Sequence, residues 1–212
     1  MASACRHVAV TGPPGVGKTT LVQKVVGQLQ EAEVACSGFY TKEVRQGGKR
    51  VGFDVVTLSG RTCVLSRQRA EGSGGREPRV GNYAVDVASF ESLALPLLQT
   101  QRASPSVLVL DEIGKMEMFS TGFVRGVRQA IADPSSTLLA TIPVAKGKPI
   151  ALVEEIRSSP TFLGVNFRLG AGRWWSWWLT RANRDDPAVL EKIISTLRTS
   201  REIMFADTIY RT

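Results

Sequence analysis

Strands that alternate with helices along this 212-residue chain predict a three-layer α/β fold, with a mostly parallel sheet between two helical layers. Three observations carry that expectation. The apolar run Val8-Ala9-Val10 leads into Gly12-Pro13-Pro14-Gly15-Val16-Gly17-Lys18-Thr19, which fits G-x-x-x-x-G-K-[ST] at every fixed position. Val107-Leu108-Val109-Leu110 is a short apolar run ending in acid, as a parallel strand buried on both faces would be. Between these runs the spacing turns helical, first at Leu21, Val22, Val25, Val26 and Leu29.

The elements follow in order. A first strand is expected over 7–11, and a helix from the glycine-rich loop to about residue 31. Residues 36–44 and 50–58 read as extended segments joined by the turn Gln46-Gly47-Gly48-Lys49, an inserted β-hairpin. Residues 60–78 are rich in Gly, Ser, Arg and Glu without periodicity and read as a loop. Residues 80–87 alternate weakly and read as a strand. Phe90, Leu93, Ala94 and Leu97 mark one face of a short helix that Pro96 should kink or shorten. Phe119, Phe123, Val127 and Ile131 step by four into a helix that ends near Asp133-Pro134. A strand over 137–142 and a helix over 150–157 come next. Asp186-Pro187 then offers an N-cap and a first-turn proline to a helix whose buried face is Val189, Leu190, Ile193, Ile194 and Leu197. One domain is expected over 1–199, followed by a C-terminal tail over 200–212 that is either frayed or an extra strand.

The glycine-rich loop fixes a ligand class. Glycines open backbone conformations closed to other residues, so successive N–H groups can turn inward on an anion. The following helix adds its unpaired N–H groups and the positive end of its dipole. In this phosphate-loop pattern, Lys18 reaches the β- and γ-phosphates and the Thr19 hydroxyl ligates Mg²⁺. The expected partner is a nucleoside triphosphate with magnesium.

Asp111-Glu112, directly after the buried strand, forms a Walker B pattern at the strand edge where α/β folds bind ligands. Asp111 is expected to hold Mg²⁺ directly or through water. Glu112 then faces the γ-phosphate and can orient or deprotonate the attacking water. Lys18 and Glu112 are therefore the expected catalytic pair, and Thr19 and Asp111 the expected metal ligands.

Composition bounds the rest. The chain is 43% hydrophobic and 22% charged, ordinary for a globular protein. No apolar run reaches the length of a membrane span. No secretory leader precedes the first strand, and Cys5, Cys36 and Cys63 lack metal-ligand spacing, so an intracellular, cytoplasmic setting is expected. The formal charge is +8 and the pI about 9.8. Such a balance permits nucleic-acid binding, but the basic residues are scattered with a mild concentration over 42–50, which favours service to a polyanionic nucleotide. A monomer is expected.

Further segments carry a resemblance. Gly12 to Thr20, Gly38-Phe39-Tyr40-Thr41-Lys42-Glu43-Val44-Arg45, Asp111-Glu112-Ile113-Gly114-Lys115-Met116-Glu117, Thr141-Ile142-Pro143 and Lys146-Gly147-Lys148-Pro149 together resemble the cancer-related nucleoside-triphosphatase family, shared with thermophilic bacteria and archaea. The likeness runs nearly continuously over 6–157. It implies a P-loop α/β fold and Mg²⁺-dependent hydrolysis of ATP, GTP, CTP and UTP to diphosphate and phosphate, with broad base tolerance. It also implies nucleotide contacts at Gly12, Pro13, Pro14, Gly15, Val16, Gly17, Lys18 and Thr19, and at Val107, Leu108, Val109, Leu110, Asp111, Glu112, Ile113 and Gly114. The likeness weakens after Ser158. A tryptophan-rich insert at about 168–178 separates Gly164-Val165-Asn166-Phe167 from the family-like Thr180-Arg181-Ala182-Asn183-Arg184-Asp185. It is expected to interrupt or displace the last core strand.

Phosphoryl transfer needs a cation at the developing charge; Arg45, Arg50, Arg79, Arg184 and Lys115 are the candidates, and Arg45 or Arg50 on the hairpin is the expected source. Two alternatives to hydrolysis stand beside it. A small-molecule or nucleotide kinase would use an arginine lid over 60–79, from Arg61, Arg67, Arg69, Arg76 and Arg79. A nucleotide-dependent RNA-binding module would use the net positive charge.

Overall fold

A computed structural model describes residues 5–69, 77–99, 106–167, 177–179 and 186–209. Its strands are β1 (His7–Thr11), β2 (Cys36–Gln46), β3 (Lys49–Thr57), β4 (Thr62–Gln68), β5 (Arg79–Val80), β6 (Tyr83–Val85), β7 (Val107–Asp111), β8 (Thr137–Ile142), β9 (Phe162–Phe167) and β10 (Trp177–Leu179). Its helices are α1 (Lys18–Glu31), α2 (Val87–Gln99), α3 (Thr121–Ala132), α4 (Ala151–Ser158) and α5 (Pro187–Ile209).

The strands form one sheet in the order β10-β9-β1-β8-β7-β2-β3-β4-β6-β5. From β10 to β2 every neighbouring pair is parallel, and from β2 to β5 every pair is antiparallel. β2 belongs to both halves, because Cys36 to Tyr40 pair with β7 while Phe39 to Gln46 pair with β3. The expected hairpin is thus a continuation of the central sheet. Its turn places Gly47 and Gly48 at φ of 54° and 78°, the left-handed pair that two-residue hairpin loops require. Gly38 lets β2 approach β7, since a Cβ there would lie 2.0 Å from the Val109 carbonyl oxygen.

Strand alternation divides the core into two layers, as a three-layer fold demands. Ala9, Leu108, Leu110, Leu138 and Ala140 pack on one face against α2, α3 and α4 through Phe90, Phe123 and Ile156. Val8, Val10, Val107, Val109 and Leu139 pack on the other against α1 and α5 through Leu21, Val25, Ile193 and Leu197. The helix starts use short-range chemistry: Ser120 Oγ accepts from Phe123 N–H at 2.9 Å, and Asp186 Oδ1 accepts from Ala188 N–H at 2.9 Å.

Several expectations change. Residues 62–68 form strand β4 inside the segment read as a loop; Leu65 and Ser66 are buried, and the surrounding Gly, Ser and Arg hide so short a strand. The segment 80–87 is two short strands followed by the start of α2. α2 runs to Gln99 with Pro96 inside it, so proline neither ends nor shortens it there. Phe119 lies in a 3₁₀ turn and is 40% exposed, because Ser120 caps α3 one residue later. β9 is present and pairs with β1 over its register, so the last core strand is neither interrupted nor displaced. Backbone at 177–179, the end of the tryptophan-rich insert, adds β10 to its edge. The rest of that insert and the stretch Thr180 to Asp185 lie outside the described residues. Beyond residue 199 the backbone is helical to Ile209 instead of an extra strand.

Candidate active site

Strand order brings three loops to one edge. β8 lies between β1 and β7, so the segments that follow β1, β7 and β8 leave the sheet side by side at its carboxyl end. They are the glycine-rich loop, the acidic turn at 111–114 and the loop over 143–150.

In the first, Gly15 and Gly17 take φ of 71° and 108°. Gly17 starts α1 with no side chain to cap it, and no acidic residue occupies the first turn. No carboxylate of the helix's own first turn therefore competes for its positive end. Lys18 Nζ donates to the Gly12 carbonyl at 3.0 Å and lies 3.9 Å from Glu112 Oε2. Its side chain is only 10% exposed, so its charge faces the site from a sheltered position.

Val107, Leu108, Val109 and Leu110 are 0% exposed and divide between the two cores. Their side chains are held in the cores and fix where Asp111 emerges. Asp111 is 1% exposed; Oδ1 accepts from the Thr141 hydroxyl, while Oδ2 is buried without a hydrogen-bond partner among the described residues. Burial pushes the Asp111 pKa up, and the hydroxyls of Thr141 and Thr19 and the Lys18 ammonium pull it back. An orphaned buried oxygen of this kind is costly unless a ligand or ion meets it. With the Thr19 hydroxyl nearby, the donor set is hard oxygen, which suits a magnesium-like ion that keeps waters and phosphate oxygens as its other ligands.

Glu112 is one-third exposed and turns toward solvent beside Lys18. Its pKa is also raised, mainly by burial and less by Asp111, with Lys18 opposing. A raised carboxylate is a better proton acceptor when ionised. The turn beneath it is held from two sides. Ile113 is fully buried and donates its N–H to the Thr141 carbonyl at 2.8 Å. Gly114 N–H donates to Glu117 Oε2 at 3.0 Å. A Cβ on Gly114 would lie 3.1 Å from Glu112 Oε1 and 3.2 Å from Glu117 Oε2, so only glycine leaves both carboxyls undisturbed. Glu117 itself is 4% exposed, and burial drives its pKa up to about 8.

Gly12, Pro14, Lys18, Glu112 and Lys115 form one wall of a cavity of about 530 Å³. The opposite wall is the loop over 143–150 and the start of α4. Arg157 ties these last two together: its guanidinium donates to the Pro143 carbonyl at 2.7 Å and pairs with Glu154 at 3.2 Å. Among the predicted residues, Lys18, Glu112, Asp111 and Thr19 are thus brought together.

The hairpin arginines are not. Arg45 pairs with Glu43 at 2.5 Å and donates to the Gly48 carbonyl. Arg50 pairs with Glu43 at 3.3 Å, donates to the Tyr83 hydroxyl at 3.0 Å and covers the rings of Phe53 and Tyr83. Neither lines the cavity beside Lys18. Two of the lid arginines are engaged in the same way. Arg67 pairs with Asp54 at 2.6 Å and Arg69 with Glu77 at 3.1 Å, both within the antiparallel half; Arg76 lies outside the described residues. Sequence reasoning gave no role to Thr141, Glu117, Lys146, Lys148 or Arg157. A signal for Thr141 existed in its place at the end of an apolar strand, but its meaning needs β8 to sit next to β7.

Among the described residues no helix is long and apolar enough to cross a membrane. A family model described as NTPase matches residues 7–194. A cancer-related nucleoside-triphosphatase homolog from Bos taurus is 58% identical over 158 residues, 72% of this chain and 83% of the relative. The solution structure of a human cancer-related nucleoside triphosphatase superposes with a TM-score of 0.76 at 49% identity, covering 93% of this chain and all of that one. The crystal structure of THEP1 from Aquifex aeolicus gives 0.70 at 37% identity, over 90% and 98% of the two chains. On these likenesses the chain belongs to the nucleoside-triphosphatase family.

Proposed function

We propose that this protein hydrolyses nucleoside 5'-triphosphates to diphosphate and phosphate, with Mg²⁺ and with broad tolerance for the base. The observation that carries the reading is the meeting of Lys18 and Glu112, 3.9 Å apart, on the wall of one open cavity beside a glycine-rich helix start. The loop N–H groups and α1 hold the β- and γ-phosphates, and Lys18 swings from the Gly12 carbonyl to their oxygens. Thr19 and Asp111 would hold the magnesium ion, which supplies charge neutralisation on the β- and γ-phosphates.

Glu112 accepts a hydrogen bond from a water and turns its lone pair toward the γ-phosphorus. A bond forms from the water oxygen to phosphorus as the bond to the β-γ bridging oxygen breaks. The water proton passes to Glu112 and then to solvent, and the electron pair leaves with the diphosphate. Thr141 keeps Asp111 oriented, and the bond between Gly114 and Glu117 keeps Glu112 aimed. Base tolerance follows if binding energy comes from the phosphates.

Phosphate release should be assayed across ATP, GTP, CTP and UTP with Mg²⁺, for the parent, Lys18→Ala and Glu112→Gln. All four nucleotides should turn over within about a tenfold range. Each variant should lose about 10²- to 10⁴-fold in rate. Phosphate appearing on an added acceptor and not in solution would point to a kinase.

A further inference from the structure

We propose that Lys115, Lys146 and Lys148 form the cation set that holds the γ-phosphate and meets the charge developing on it. The proposal rests on the hydrolase reading above and names the residues that complete its site.

The need is general. Negative charge on the transferring group must be met by cations that can reach it. Arg45 and Arg50, the arginines expected for this task, are engaged elsewhere, with Glu43 and Tyr83. The cavity that contains Lys18 and Glu112 has other cations on its walls: Lys115, Lys146, Lys148 and Arg157. Arg157 is committed to the Pro143 carbonyl and to Glu154, so it braces the loop. The three lysines make no ion pair among the described residues.

Topology explains their position. Because β8 runs between β1 and β7, whatever follows β8 emerges between the glycine-rich loop and the acidic turn. In this chain that segment carries Lys146 and Lys148 around Gly147, whose φ of +73° makes a tight turn. Lys115 sits across the cavity, one residue beyond the glycine that aims Glu112. An ammonium on a long flexible stem suits this work, since the γ-phosphate moves away from the diphosphate during transfer.

The lysines should distinguish a triphosphate from a diphosphate, whereas Lys18 and the loop N–H groups also touch the β-phosphate. The test uses the triple variant Lys115→Gln/Lys146→Gln/Lys148→Gln and the double variant Lys146→Gln/Lys148→Gln. Lys192→Gln on α5 serves as a charge control. For each, the affinity of a diphosphate and of a non-hydrolysable triphosphate is measured with Mg²⁺ at low and high salt, beside single-turnover phosphate release. The expected result is a loss of about tenfold or more in triphosphate affinity and in single-turnover rate. Diphosphate affinity should stay within about twofold, the effect should persist at high salt, and Lys→Arg replacements should restore part of it. Equal loss for both nucleotides, a loss abolished by salt or matched by Lys192→Gln, or no loss overturns the proposal. If the triple variant does not melt cooperatively, the three single variants are read by the same criteria. Hydrolysis and lysine function separate cleanly. A parent that releases no phosphate defeats the hydrolase reading, while the triphosphate-to-diphosphate ratio still decides the lysines.

Discussion

The arginines of the antiparallel half and the cavity lysines of the parallel half stand in different surroundings. In the antiparallel half, from β2 to β5 in sheet order, Arg45, Arg50, Arg67 and Arg69 each pair with a carboxylate of that half. In the parallel half Lys18, Arg128 and Arg157 are ion-paired too, but Lys115, Lys146 and Lys148 line a cavity shared with Glu112 and Glu154 and make no ion pair among the described residues. The net charge of +8 does not distinguish these uses. Which cations are paired, and across which edge, locates the chemistry. A cross-strand ion pair on a partly exposed surface contributes to register, while an unpaired lysine on a cavity wall remains available to an anion.

The largest effect on stability should come from the parallel half. Leu110 is fully buried directly before Asp111, so Leu110→Ala should cost about 2–5 kcal/mol in denaturant unfolding. It should also lower activity, because the acidic turn loses its anchor. Unchanged unfolding would break the claim that this strand fixes the site.

A smaller, pH-dependent effect should come from Glu117. Its carboxyl keeps a proton in the folded state up to about pH 8, whereas an unfolded glutamate releases it near its ordinary value of 4.5. Between those values the folded state binds more protons, so stability falls as pH rises from 4.5 toward 8 and levels off above. Glu117→Gln keeps an acceptor oxygen for Gly114 and lacks this slope. The variant should gain about 1–3 kcal/mol on the parent between pH 5 and 8, followed by chemical unfolding. A parallel pair of pH profiles would show that Glu117 does not ionise from a buried state.

The smallest effects belong to the antiparallel half. Arg50→Ala and Arg67→Ala should each change stability by less than about 1 kcal/mol, since both side chains are more than a third exposed. Single-turnover release should stay within a few-fold of the parent. A hundredfold loss from either would reverse the comparison and return the finger role to the hairpin.

What could be read from sequence followed locality. The glycine-rich loop, Asp111-Glu112 and the cap at Asp186 act within a few residues, so their patterns are visible in the chain. β4 was hidden because seven residues of strand sit among loop-forming residues, and only pairing with β3 and β6 makes it extended. Phe119 was misread because period-four spacing cannot tell a helix from the turn that precedes its cap. The partners of the arginines and the position of the lysines depend on strand order, which no local pattern contains. β8 between β1 and β7 is the one fact that turns Thr141, Lys146 and Lys148 into parts of a site.

The central claim is that Glu112, beside Lys18, aims water at a bound triphosphate. Single-turnover phosphate release from Mg-ATP by Glu112→Gln, with nucleotide affinity measured on the same sample, tests it most directly. The account predicts parental affinity and a rate lower by about 10²-fold or more. A variant that binds nucleotide and releases phosphate at the parental rate would contradict it.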